Sequence, residues 1–181
     1  TVRGSGGGAR VVVVAHADGV PNVSASGDDA FGVSVALSTL RTLAREHEGL
    51  TGDVVVVVTG QEEVCVACGA GLARRLQANA LSSADVVVNL DSGGDAGPFA
   101  ETQSTPKNAR LARALARTPA FASSIVDGFA RVFAPAEGRT ELAAFTRPSA
   151  DVHTPAPIGI DLGLLGGRRC YHAPCDDVAH V

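Results

Sequence analysis

Neither methionine nor tryptophan occurs in the 181 residues; Tyr171 is the only tyrosine and Lys107 the only lysine. Without tryptophan, and with one tyrosine, the chain lacks the aromatic platforms on which nucleic-acid bases stack. A net charge of −4 supplies no broad basic surface for phosphate backbones, so no nucleic acid is expected as a partner. No apolar run approaches the ~20 residues that span a bilayer, and Thr1 is not followed by the pattern of a secretory leader. No membrane insertion of this segment is expected. The missing methionine, absent even at position 1, reads as a processed product or an excised domain. Internal repeats and interdomain linkers are lacking too, so residues 1–181 read as one domain.

What is present is ordinary globular material, 45% hydrophobic and 19% charged, in a chain long enough to bury roughly 70% of its unfolded surface. Three short valine-rich runs, Val11 to Ala15, Val54 to Val58 and Val86 to Leu90, the last interrupted by Asn89, have the pattern of buried parallel strands. Between the first two, Phe31, Val33, Leu37, Leu40 and Ala44 recur at helical spacing, which predicts a helix over 30–46, with Asp28 or Asp29 as its cap. Leu72 and Leu76 mark a second helix over 69–80, and Leu111, Leu115 and Ala116 a third over 108–118. The proline-rich stretch 148–157 reads as loop and 158–165 as a late strand that tolerates its glycines. Strand and helix in alternation predict a three-layer α/β fold.

Each valine-rich strand ends in acid or histidine: the first at His16 with Asp18, the second at Glu62 and Glu63, the third at Asp91. In open α/β sheets, sites form just outside the carboxyl ends of the strands, so these groups converge in one crevice. Carboxylates crowded there repel unless a cation neutralises them. Two dications bring four positive charges; Asp28, Glu63 and Asp91 bring three negative ones, leaving one for a hydroxide. That balance belongs to a di-metal hydrolase, and nitrogen and oxygen ligands make zinc the first choice. A second histidine must come from farther on. His172 lies between Cys170 and Cys175, which a disulfide would join to clamp its loop. His47, His153 and His180 are the rivals for that position. A structural zinc site from Cys65, Cys68, Cys170 and Cys175 is the weaker use of the cysteines. A Cys170–Cys175 bridge implies an oxidising compartment, and thus an extracytoplasmic location. Asn22, Val23 and Ser24 match a glycosylation sequon, which matters only in a eukaryotic secretory setting.

Taken in order, His16-Ala-Asp18, Gly27-Asp28-Asp29, Thr59-Gly-Gln-Glu62-Glu63, Asn89-Leu-Asp91 and Cys170-Tyr171-His172-Ala-Pro-Cys175-Asp176 resemble the co-catalytic di-zinc aminopeptidases. That family includes secreted bacterial leucyl aminopeptidases and endoplasmic reticulum metallopeptidases. The resemblance implies an α/β/α sandwich on a mostly parallel mixed sheet, two zinc ions, and removal of N-terminal residues from peptides with a free N-terminus. It implies that Asp28 bridges the metals, with His16 and Asp91 completing one and Glu63 and His172 the other. Glu62 would be the general base, taking a proton from the water the metals polarise and passing it to the leaving amine. Asp18 would accept the second imidazole N–H of His16, and Tyr171 would donate to the developing oxyanion.

The chain departs from the family pattern in placing Ala30 and Phe31 before Gly32, in carrying Glu141 where an aspartate is usual, and in having cysteines at 65 and 68. Two other readings share the fold. A glutaminyl cyclase would need a tryptophan-lined pocket, and an inactive scaffold or binding domain would show gaps at ligand positions; here none is empty.

Overall fold

The computed structural model describes residues 1–46, 48–65, 85–92, 94, 96–106, 108–118, 121–122, 140–146 and 156–180. Its strands are β1 (Val11–His16), β2 (Val54–Thr59), β3 (Val86–Leu90), β4 (Ala96–Ser104), β5 (Phe121–Ala122) and β6 (Ile158–Gly166). They form one sheet in the order β2-β1-β3-β6-β4-β5. The first four run parallel; β4 is antiparallel to β6 and parallel to β5. β1 and β2 pair without slippage from Val11 opposite Val54 to His16 opposite Thr59, but β2 is not the doubly covered strand its valines suggest: it ends the strand order, with Val54 buried, Val55 to Val57 half-buried and Val58 43% exposed.

Because side chains alternate along a strand, each valine run feeds two cores. Val12, Val14 and Val87 face Leu142 and Phe145 of a short helix, α3 (Glu141–Thr146). Val13, Ala15, Val54 and Leu90 face α1 (Gly32–Arg45) through Ala36, Val33, Leu40 and Leu43. Helices on opposite faces make the three-layer α/β/α arrangement, with α2 (Ala109–Leu115) beside the β4–β5 end. The buried stripe of α1 leaves out Leu37, which is 48% exposed.

Several elements differ from the sequence expectation for identifiable reasons. The helix expected from residue 30 begins at Gly32, because Asp28 and Asp29 stand outside helical geometry in the preceding turn, Ser26–Phe31. Asp29 Oδ1 accepts the N–H of Gly32 at 3.0 Å, and a Cβ on Gly32 would collide with that carboxylate. The glycines of β6 also have a use: a Cβ on Gly163 would strike the main chain of Asp91. β4 carries Glu101, Thr102, Gln103 and Ser104 in place of an apolar run, and α3 is too short for a helical period to show. The expected helix over 69–80 and nearly all of the loop over 148–157 lie outside the described residues. No helix among the described residues is long and apolar enough to cross a membrane.

Phe145 is fully buried between α3 and the sheet. Phe145→Ala is expected to cost about 3–5 kcal/mol of unfolding free energy, measured by urea denaturation with circular dichroism.

Candidate metal centre

Strands β1, β2, β3 and β6 point their carboxyl ends the same way, and β1 connects to β2 on one side while β3 lies on its other. A crevice opens at such a reversal of strand order. His16 closes β1 and is buried. Asp28 lies in the turn before α1, and the Asp28–Asp29 peptide is cis. Glu62 and Glu63 follow β2 after Gln61, which has φ of 71°. Asp91 follows β3 directly, and His172 lies six residues past the end of β6.

These groups meet. His16 Nε2 is 3.2 Å from Asp28 Oδ1, and His172 Nε2 is 3.0 Å from Asp28 Oδ2 and 3.2 Å from Glu63 Oε2. Asp28 thus presents one oxygen to each histidine. Two triads share it, His16–Asp28–Asp91 and Asp28–Glu63–His172, each with ligand atoms within 4.8 Å of one another. Metal–ligand bonds of about 2.0–2.1 Å in a tetrahedron give ligand edges of roughly 3.3 Å, close to the spacings here. Glu63 Oε1 is buried without a hydrogen-bond partner, an arrangement that costs free energy unless a cation or donor reaches it. With only imidazole and carboxylate donors, the set fits a divalent metal such as zinc.

Hydrogen bonds hold the candidate ligands in place. Asp18 accepts the Glu62 N–H on Oδ1 at 3.0 Å and the Glu63 N–H on Oδ2 at 3.1 Å, tying the loop after β2 to the loop after β1. His16 Nδ1 lies 3.0 Å from the Asp18 main-chain oxygen and 3.6 Å from its carboxylate. The acceptor nearest that nitrogen is therefore the carbonyl, since the carboxylate is engaged with the two amides. Asp176, to which the sequence reading gave no role, is buried and accepts N–H groups of Gly27 and Asp28. Glu141, also buried, accepts from Thr59 Oγ1 at 2.6 Å, at the end of the strand that leads to Glu62.

The electrostatics follow from the crowding. Burial, then the charges of Glu63, Glu141 and Asp28, push Glu62 up to about 7 against the lowering field of His16. A carboxyl in that range can both take and give a proton near neutrality. Burial and Asp28 push Glu63 to about 7 as well. Burial takes Asp91 well above the ordinary carboxylate range, with Asp161 and Asp28 adding to it, and burial takes Asp29 to about 8. Burial alone would lower His16, but Asp28, Asp91 and Asp29 outweigh it and hold the imidazole at about 10. The field that retains that proton would equally attract a metal cation. Burial, with the charges of Asp28, Asp91, Glu63 and Glu62, raises Tyr171, so its phenol stays a donor. Its ring stacks on His172 with centroids 3.9 Å apart.

Cys170 and Cys175 are joined, bracketing Tyr171 and His172, and Cys65 is disulfide-bonded as well. A four-thiolate zinc site is thereby excluded. Of the rival histidines, His180 is paired with Asp177 at 2.7 Å on an exposed turn; His47 and His153, like Cys68, lie outside the described residues.

Among models of known families, that of peptidase family M28 matches residues 1–181. No curated protein matches the chain.

Removing the clamp by Cys170→Ser with Cys175→Ser is expected to cost about 2 kcal/mol of stability and to weaken zinc binding in parallel. Denaturation midpoints and chelator competition measure the two effects. Unchanged zinc affinity in a folded variant would show that the clamp does not position His172.

Proposed function

The chain belongs to peptidase family M28, a family of zinc-dependent peptidases, and on that premise we propose that it is a two-zinc aminopeptidase acting on peptides with a free N-terminus. The observation that carries this reading is the sharing of Asp28 between two ligand triads. In it, His16 and Asp91 would hold one zinc and Glu63 and His172 the other, with Asp28 offering an oxygen to each. The bound dications would supply Lewis acidity for the scissile carbonyl and a water of lowered pKa.

The remaining work falls to the protein's own groups. Glu62 is buried in the crevice, its main chain held by Asp18, and its carboxylate is the proton carrier. It takes a proton from the attacking water and returns it to the amine of the departing peptide. The Tyr171 hydroxyl donates to the oxygen that gains charge as the carbonyl is attacked. Adjacent residues leaving β2 thus divide two tasks: Glu63 binds metal and Glu62 moves protons. The Cys170–Cys175 bridge supports a working location outside a reducing compartment, and residues 1–181 serve as one catalytic domain.

Glu62→Gln is expected to lower turnover of aminoacyl arylamides by about 10²–10⁴-fold while zinc content by elemental analysis stays at the native level. Loss of zinc instead would make Glu62 a ligand and not the base. The exopeptidase claim has its own test. Peptides with an acetylated N-terminus should resist cleavage where their free counterparts are shortened one residue at a time; equal cleavage of both would point to an endopeptidase.

A further inference from the structure

Beneath the candidate centre, in the layer between the sheet and α3, lies a buried carboxylate that the proposed chemistry does not use. Asp161 of β6 is 2% exposed and sits opposite Asn89 of β3, two residues before Asp91. Alternation along β3 puts the side chains of Asn89 and Asp91 on the same side. Asp161 Oδ1 accepts from Asn89 Nδ2 at 2.8 Å, and Oδ2 accepts from Thr102 Oγ1 of β4 at 2.7 Å. Both donors are neutral, and among the described residues no arginine or lysine pairs with the acid.

This arrangement is costly for the metal-free chain. A buried charge without a counter-ion is disfavoured even when hydrogen-bonded. In turning its amide nitrogen to Asp161, Asn89 also leaves Oδ1 buried without a partner. Two uncompensated features therefore lie together next to the ligand that closes β3. Burial raises Asp161 to about 6, against the lowering effect of its hydrogen bonds from Thr102 and Asn89 and of the His16 charge. Its link to the centre is geometric: it holds Asn89, whose side chain shares a side of β3 with Asp91, and Asp91 and His16 are candidate ligands of the same metal position. A dication held by His16, Asp28 and Asp91 would be the compensating charge that the Asp161 pocket lacks.

We propose that Asp161, held by Asn89 and Thr102, is an electrostatic partner of the metal centre that strengthens zinc retention at the His16–Asp28–Asp91 position and destabilises the chain when metal is absent. The proposal rests on the metal-centre reading above. Its two hydrogen bonds go to Asn89 and Thr102, neither of them a candidate ligand, and it acts through its charge.

Asp161→Asn isolates that charge, because the replacing amide can still accept from Asn89 through its oxygen and donate to the Thr102 hydroxyl. Zinc affinity of the full chain is measured by competition with a chelator, and stability of the metal-free chain by urea denaturation. D161N is expected to bind Zn²⁺ about tenfold more weakly, the low end of what partners beyond the direct ligands contribute, with metal-free stability equal to or above native. An unchanged zinc affinity contradicts the assignment, as does weaker binding accompanied by a destabilised metal-free chain, which is the mark of a structural role. Asp161→Ser, a second neutral variant, carries the same test if D161N folds poorly. A native chain that takes up no zinc defeats the metal-centre reading itself, whereas native uptake with an unaltered D161N defeats only the role of Asp161.

Discussion

Mutual repulsion among carboxylates at the carboxyl ends of β1, β2 and β3 is the constraint on which the rest of the molecule depends. Asp28, Glu62, Glu63 and Asp91 meet at the ends of β1 and β3, whose valines are mostly buried, and of β2, which ends the strand order with Val54 buried and Val58 43% exposed, so the sheet brings the charges together. Burial raises Glu62 and Glu63 to about 7 and Asp91 well above the carboxylate range. Two imidazoles facing opposite oxygens of Asp28 offset part of the repulsion, and a pair of dications would offset it more fully. Stability and function are therefore set against each other: the residues that would hold metal are the ones the metal-free fold holds least comfortably.

Supporting contacts are arranged around that tension. Asp18 and Asp176 each spend a carboxylate on two main-chain N–H groups of the ligand-bearing loops. Anions held by amides are well satisfied, so these two acids fix geometry where the crevice acids supply charge. The Cys170–Cys175 bridge brackets the candidate ligand that follows β6, His172, in a loop with no strand or helix of its own to hold it. Thr59 and Glu141 join the end of β2 to α3, linking the core under α3 to the loop that carries Glu62.

Much of this was legible in the sequence because the relevant signals are local. Valine runs ending in acids announce parallel strands and their carboxyl-end crevice within a few residues of each other, and the spacing from His16 to Asp28 is a property of one loop. β4 was not legible, since it pairs antiparallel to β6 through a largely polar stretch with no periodic apolar signal. The early end of the helical pattern at Gly32 was hidden as well, because two aspartates that look like caps are drawn out of the helix. Asp161 is the clearest case of what local reading misses: its partners Asn89 and Thr102 are 72 and 59 residues away in the chain. The donors to Asp18 also had to come from geometry, because only the folded loops reveal that two amides reach its carboxylate.

The central claim is that one aspartate is shared by two metals. Anomalous diffraction recorded on either side of the zinc absorption edge, from crystals grown with zinc, tests it directly. The account predicts two peaks, one among His16, Asp28 and Asp91 and one among Asp28, Glu63 and His172, with Asp28 contributing an oxygen to each. A single peak, or peaks that leave Asp28 bound to one metal only, would contradict it.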